Sequence, residues 1–414
     1  MDQGLHEPRL ARWQLIVGVC ILSNFADGFD IMAAAFAGPA VAREYGMPPA
    51  SLGLLFGAGL AGVTLGSLLI APLADRAGRR KIALGCMAVM ALGMLLSAAA
   101  PGPGILIGLR LLTGLGIGGM LATLNTVVAE VAPPGRRNLA LSLLSVGYPL
   151  GSMVGGLVAI GLIERFGWQA LFLVGGCGTA AIFVLQLFLL PETANIGADG
   201  PRDRESAFSS ANRGNLAAVS TAFFLNMMCF FFILNWTPKL IEELGLPART
   251  GITATVVLNI TGLIGGLAYG VLADRFGWRR VAQPAFIFFA LLTMVFGLIP
   301  AAPGPLFLAA GAIGIAMAAA MTSLYTAAAN TFPERVRASG TGFAIGVGRI
   351  GGTLGPVLAG YALGAGIGHV PLYMIFAAFP LLVIFCLRRI RVPETALAGT
   401  GDRDARARFA KEET

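Results

Sequence analysis

Apolar residues do not alternate with polar ones along this 414-residue chain. They gather into runs of roughly 18 residues or more, the length at which a helix crosses a bilayer. The runs fall at 15–37, 51–73, 82–100, 105–131, 139–163 and 169–190, and then at 216–237, 252–273, 281–300, 305–329, 339–363 and 371–387. Peptide groups find no water in hydrocarbon, so each run predicts an α-helix that satisfies its own backbone. The expected fold is an all-α membrane protein, twelve transmembrane helices in two pseudo-symmetric six-helix bundles at 15–190 and 216–387. Three polar segments remain: 1–14, the link 191–215 and the tail 388–414.

Composition agrees, with 56% hydrophobic and 12% charged residues against roughly 25% charged in a soluble domain. The net charge of +8 would by itself suggest a nucleic-acid partner, but its placement excludes that reading. Of the 29 Lys and Arg, all fall in the terminal segments and even-numbered loops except Arg43, Arg165, Lys239 and Arg249 in the opposite loops and Arg110 and Arg349 within spans. The positive-inside rule then places both termini and the link in the cytoplasm, around a multi-pass protein of the bacterial inner membrane. The first run is too long for a signal-peptide core and is expected to stay as a span. Cys20, Cys86, Cys177, Cys229 and Cys386 all lie in apolar runs without a CxxC pattern, and read as small buried hydrophobes rather than metal ligands or disulfides.

The halves repeat. Asp75-Arg76-Ala77-Gly78-Arg79-Arg80 after the second span is matched by Asp274-Arg275-Phe276-Gly277-Trp278-Arg279-Arg280 after the eighth. Pro191-Glu192-Thr193 is matched by Pro393-Glu394-Thr395, and the basic loop at Arg136 and Arg137 by Arg335 and Arg337. Repeated halves on one side of a membrane can rock to open a central cavity alternately. In the loop motif glycine permits a tight turn, the aspartate accepts from nearby donors, and the arginines reach a partner helix or lipid phosphate. Asp75, Arg76, Arg79, Arg80, Asp274, Arg275, Arg279 and Arg280, with Glu130 at the inner end of the fourth span, form the candidate gating set. Anchoring to lipid alone is the competing reading. Four-residue glycine spacings, as at Gly62 and Gly66, Gly147, Gly151 and Gly155, Gly262, Gly266 and Gly270, and Gly351 and Gly355, predict close helix seams.

Asp27 and Asp30 lie near the middle of the first span, three residues apart and so on broadly one face. Facing lipid, each would cost about 2.5–3.5 kcal/mol, so both are expected inside the protein. Two such carboxylates need cations or a shared proton, and Arg110 and Arg349 are the intramembrane cations. Proton coupling at Asp27 and Asp30 competes with plain structural ion pairing. Arg110 is expected to pair with an aspartate and Arg349, at mid-depth, to receive an anionic substrate. Asn24, Phe29, Asn226, Asn235, Trp236, Asn259, Tyr325 and Asn330 complete the candidate substrate site, with amides and a phenol to orient a carboxylate and rings to hold an apolar body.

The repeated loops, the stretch Arg110-Leu111-Leu112-Thr113-Gly114-Leu115-Gly116 and the twelve-span layout together resemble the major facilitator superfamily over about residues 12–395. Ala71 departs from the glycine usual in the first-half loop signature, while its counterpart Gly270 keeps it. More finely, Asp27-Gly28-Phe29-Asp30, Arg110, Glu130 and Gly348-Arg349-Ile350-Gly351 resemble the aromatic acid:proton symporter family. That resemblance implies inward carriage of a benzoate- or hydroxybenzoate-like anion with protons, requiring Asp27, Asp30, Arg110 and Glu130, by a carrier that functions as a monomer. A carrier for muconate or another aliphatic acid is the nearest rival, and a multidrug exporter a weaker one. No nucleophile, metal cluster, cofactor site or ATP motif is legible, so an enzyme is not expected and the proton gradient is the energy source.

Overall fold

The computed structural model describes residues 13–192, 209–332 and 336–390. Its helices are α1 (Trp13–Tyr45), α2 (Pro49–Leu69), α3 (Ala71–Ala77), α4 (Arg79–Ala98), α5 (Pro103–Val131), α6 (Arg137–Phe166) and α7 (Trp168–Leu189) in the first half. The second half has α8 (Ser210–Glu243), α9 (Ala248–Phe276), α10 (Trp278–Leu298), α11 (Pro303–Thr331), α12 (Arg337–Gly364) and α13 (His369–Arg389). Among the described residues 12 helical stretches are long and apolar enough to cross a membrane, α2 and the start of α3 counting as one. Prolines 49, 103 and 303 open their helices at the first position, where a missing amide proton costs nothing.

Most ends fall within a few residues of the apolar runs. The exceptions are α1 and α8, which continue past 37 and 237 to Tyr45 and Glu243. Each carries an interior proline, Pro39 and Pro238, which removes one hydrogen bond and bends a helix without ending it. α8 also starts early, inside the expected link, where the Ser209 carbonyl accepts the amides of Asn212 and Arg213. Thr193, Arg335 and Pro393-Glu394-Thr395 lie outside the described residues.

Packing follows the repeat. α1 lies along α6 as α8 lies along α12; α2 pairs with α5 as α9 does with α11, and α4 with α7 as α10 does with α13. Between the halves, α2 meets α12 and α6 meets α9, two contacts that the repeat exchanges, while α1 meets α8, its own counterpart. A pseudo-two-fold axis therefore runs between α1 and α8.

Glycines bring the paired helices to backbone contact. A Cβ on Gly147 or Gly151 would run into the backbone of Ile21 or Phe25, and one on Gly351 or Gly355 into that of Phe224 or Met228. Gly62 and Gly66 sit likewise against Leu111 and Leu115. In α9 the expected row is displaced: Gly265 lies against Ile315, whereas a Cβ on Gly270 would meet nothing. Positions four apart drift around a 3.6-residue helix, so Gly270 has left the face that touches α11.

The outer surface is apolar, as at Phe188, Leu267 and Leu308, and suits lipid contact. Cys177 belongs to this surface and is exposed, which corrects its assignment as a buried hydrophobe: in a bilayer an apolar residue needs no protein cover. Cys20, Cys86 and Cys229 are buried and Cys386 is partly so.

Candidate functional site

Both span aspartates face inward. Asp30 is 2% exposed and Arg110 of α5 is 2% exposed, and Arg110 Nη1 donates to Asp30 Oδ1 at 2.5 Å. Arg110 Nη2 donates to Ser97 Oγ of α4 at 2.8 Å, and the guanidinium carbon lies 4.7 Å from the centre of the Phe172 ring on α7. Four helices thus converge on one cation, which replaces lost hydration with a charge pair, a hydroxyl and an aromatic face.

Asp27 has no such company. It is fully buried, and among the described residues neither carboxyl oxygen has a hydrogen-bond partner. Cys86 and Tyr148 lie within its electrostatic reach, as does Asp30. A carboxyl group without a partner is costly to bury. One turn away Asn24 Nδ2 donates to the Leu144 carbonyl of α6 at 2.6 Å. Beside it Gln186 Nε2 of α7 donates to Ser23 Oγ at 2.7 Å. The Asn24 and Gln186 amide oxygens, like Asp27, are buried and have no partner among the described residues.

A cavity of about 10 Å³, room for a single water, is bordered by Asp30, Arg110 and Thr113 and by Asn235 of α8. It joins the ion pair to the second half. Phe29 is buried, against Gly155 and Gly175. Trp236 is fully buried, with its indole donating to the Pro356 carbonyl at 3.0 Å and its ring edge-to-face with Phe56 of α2 at 5.5 Å.

In the second half Arg349 of α12 donates to Ser67 Oγ on α2 and approaches the Val63 carbonyl at 3.5 Å. It reaches into the other bundle instead of pairing in its own. Tyr325, on α11, is within its electrostatic reach, is 43% exposed and stands edge-to-face with Phe223. The candidate amides are more self-contained. Asn235, Asn259 and Asn330 each donate to the carbonyl four residues earlier, of Phe231, Thr255 and Thr326, and buried Asn226 directs its amide to the Met321 sulfur.

Among the gating residues Arg79 pairs with Glu130 of α5. This joins two helices of the first half. Arg80 Nη2 donates to the Leu187 carbonyl at the end of α7 at 2.7 Å, and its repeat partner Arg279 donates to the Ile390 carbonyl after α13 at 2.6 Å. In both halves an arginine caps the last helix, where unpaired carbonyls favour a cation. Gly78 and Gly277 have φ of 97° and 84°, the left-handed turn that the motif required. Asp274, Arg275 and Arg280 are exposed, and Arg275 and Arg279 stack over Phe276 and Trp278. The side chains of Asp75 and Arg76 lie outside the described residues. At the opposite face Arg43 of α1 pairs with Glu242 of α8, between the halves.

Ser67, Ser97, Phe172 and Gln186 were not among the candidates. Gln186 was discoverable as an amide inside the apolar run Phe183-Val184-Leu185-Gln186-Leu187; the two serines resemble many small polar residues in spans, and only the packing distinguishes them.

Residues 20–304 and 253–411 match the Major Facilitator Superfamily, together covering nearly all of the chain. The chain belongs to that superfamily. It is a transporter and not an enzyme. It is 28% identical to a gallate transporter of Pseudomonas putida, over 91% of each chain. It is 29% identical to a 3-(3-hydroxy-phenyl)propionate transporter of Escherichia coli K12, over 87% of this chain and 89% of that one. In fold it is similar to a bacterial homologue of the human lysosomal transporter Spinster in its inward-facing, occupied conformation, with a TM-score of 0.77, 15% identity, and 94% and 97% of the two chains covered. The exchange of the α2–α12 and α6–α9 contacts is thus the internal symmetry of a major facilitator.

Proposed function

We propose that this major facilitator imports an aromatic carboxylate together with protons, by alternating access, in the bacterial inner membrane with both termini in the cytoplasm. The observation that carries the reading is the distribution of charge: of two buried acids only Asp30 has a cation, Arg110, while among the described residues Arg349 stands apart with no carboxylate partner. Asp30 stays paired with Arg110, Asp27 takes up and releases the proton, and Arg349 receives the substrate anion. Tyr325, within its electrostatic reach and 43% exposed, offers a ring face beside it. The relatives named for gallate and for a hydroxyphenylpropionate support a phenolic acid as cargo. Arg79 and Glu130, with Asp75 of the same loop, latch the cytoplasmic side. The carrier works as a monomer, without cofactor, on the proton gradient.

Uptake into proteoliposomes under an imposed pH gradient tests this, with gallate, 3-(3-hydroxyphenyl)propionate, 4-hydroxybenzoate and benzoate as cargo and muconate as the aliphatic comparison. Accumulation of an aromatic acid with matching proton entry is expected. Accumulation of muconate alone would transfer the assignment to aliphatic acids, and no acid-dependent proton entry for any cargo would end it.

A further inference from the structure

Arg349 rests on the opposite half, and the place where it rests is oriented. The Ser67 hydroxyl has one proton, within reach of the Val63 carbonyl at 2.8 Å and the Gly118 carbonyl at 3.1 Å. Its oxygen therefore presents a lone pair to the Arg349 guanidinium, which donates to it from α12. Both alternative acceptors are helical carbonyls, which keep a backbone amide when a side-chain hydroxyl leaves them. The hydroxyl is therefore free to rotate and donate elsewhere at little cost.

We propose that Ser67 is the second ligand of the transported carboxylate, clamping it together with Arg349, one group from each half. This rests on the reading of Arg349 given above. An arriving carboxylate displaces the guanidinium from the hydroxyl oxygen and accepts from both groups: Arg349 by a charge-assisted bond, Ser67 by turning its proton from Val63 or Gly118. The anion then replaces the direct Arg349–Ser67 hydrogen bond, so that filling the site links these two groups, one from each half, through the cargo. A neutral analogue accepts more weakly and gains less from the same clamp.

The test is equilibrium binding to the purified full-length protein, using whichever of the four aromatic acids binds most tightly and the primary amide of that acid. Ser67→Ala is expected to keep its melting temperature and to raise Kd for the acid about tenfold or more, the scale of a hydrogen bond to a charged group. The amide should lose about fivefold or less, the scale of a neutral hydrogen bond. An unchanged Kd for the acid overturns the proposal. So does a lowered one, because a hydroxyl that merely parks Arg349 competes with substrate, and its removal would tighten binding. Should Ser67→Ala not fold, Ser67→Cys, close in size but a poor donor, carries the same expectation. Arg349→Gln separates the two levels: if it binds the acid as the wild type does, or if the wild type binds none of the four acids, the reading of Arg349 fails and this inference falls with it. If Arg349→Gln loses binding while Ser67→Ala does not, Ser67 alone is wrong.

Discussion

The two halves share helix order, seams and loop motif, yet treat charge in opposite ways. The first half buries Asp27, Asp30 and Arg110 among its own helices, with only a water-sized cavity between the ion pair and Asn235 of the second. The second keeps its intramembrane cation, Arg349, half-buried and extends it into the neighbouring bundle. A closed site suits a proton, which needs only an acid and a narrow path; an accessible cation suits an anion that must enter and leave. On the proposed reading the same scaffold separates the driving ion from the cargo, and each assignment can be broken by itself.

The largest effect is expected at Arg110. Arg110→Leu leaves Asp30 buried without its cation, a change that costs about 3–5 kcal/mol when a buried pair is broken, so both transport and the melting temperature should fall steeply. Asp27→Asn keeps shape and leaves no charge unpaired; it should fold normally and still exchange labelled for unlabelled substrate, yet lose accumulation driven by a pH gradient. Normal accumulation in this variant would return Asp27 to a structural role. Arg349→Gln should act in the opposite sense, raising Kd for the acid about ten- to hundredfold, the scale of losing hydrogen bonds to a charged group, with an unaltered melt. The smallest effect is expected at the Arg43–Glu242 pair. Arg43 is 58% exposed and Glu242 14%, so solvent screens the pair from one side and holds it to about 1 kcal/mol. Glu242→Gln should therefore change transport rate by less than about fivefold while raising labelling of a cysteine placed at the outer end of α2, and the double exchange Arg43→Glu with Glu242→Arg should reverse it.

Much of this was legible in the chain. Runs of apolar residues gave the helices because lipid imposes one solution on the backbone, and a three-residue spacing put Asp27 and Asp30 on one face. That Arg110 would find an aspartate followed from the cost of leaving either alone. Which aspartate it would choose was not legible, because the depth of a side chain on α5 relative to α1 depends on where Gly147 and Gly151 let α6 settle against α1, and on the matching glycine seam between α2 and α5. Arg349 meeting Ser67 was hidden for the same reason: it is a contact between bundles, set by how the halves dock. The extensions past Pro39 and Pro238 were missed because hydrophobicity reports what lipid tolerates, not where a helix stops.

Arg43 and Glu242 occupy equivalent places in the repeat, related by the same step along the chain as Asp75 and Asp274 or Pro39 and Pro238. Helices α1 and α8 meet each other across the pseudo-axis, so a chain with two identical halves would confront each of these side chains with its own copy. Arginine would face arginine, or glutamate glutamate, and this rim would push itself apart. Opposite signs at this one position turn self-repulsion into a weak clasp, something that a strictly symmetric molecule cannot build at its own axis.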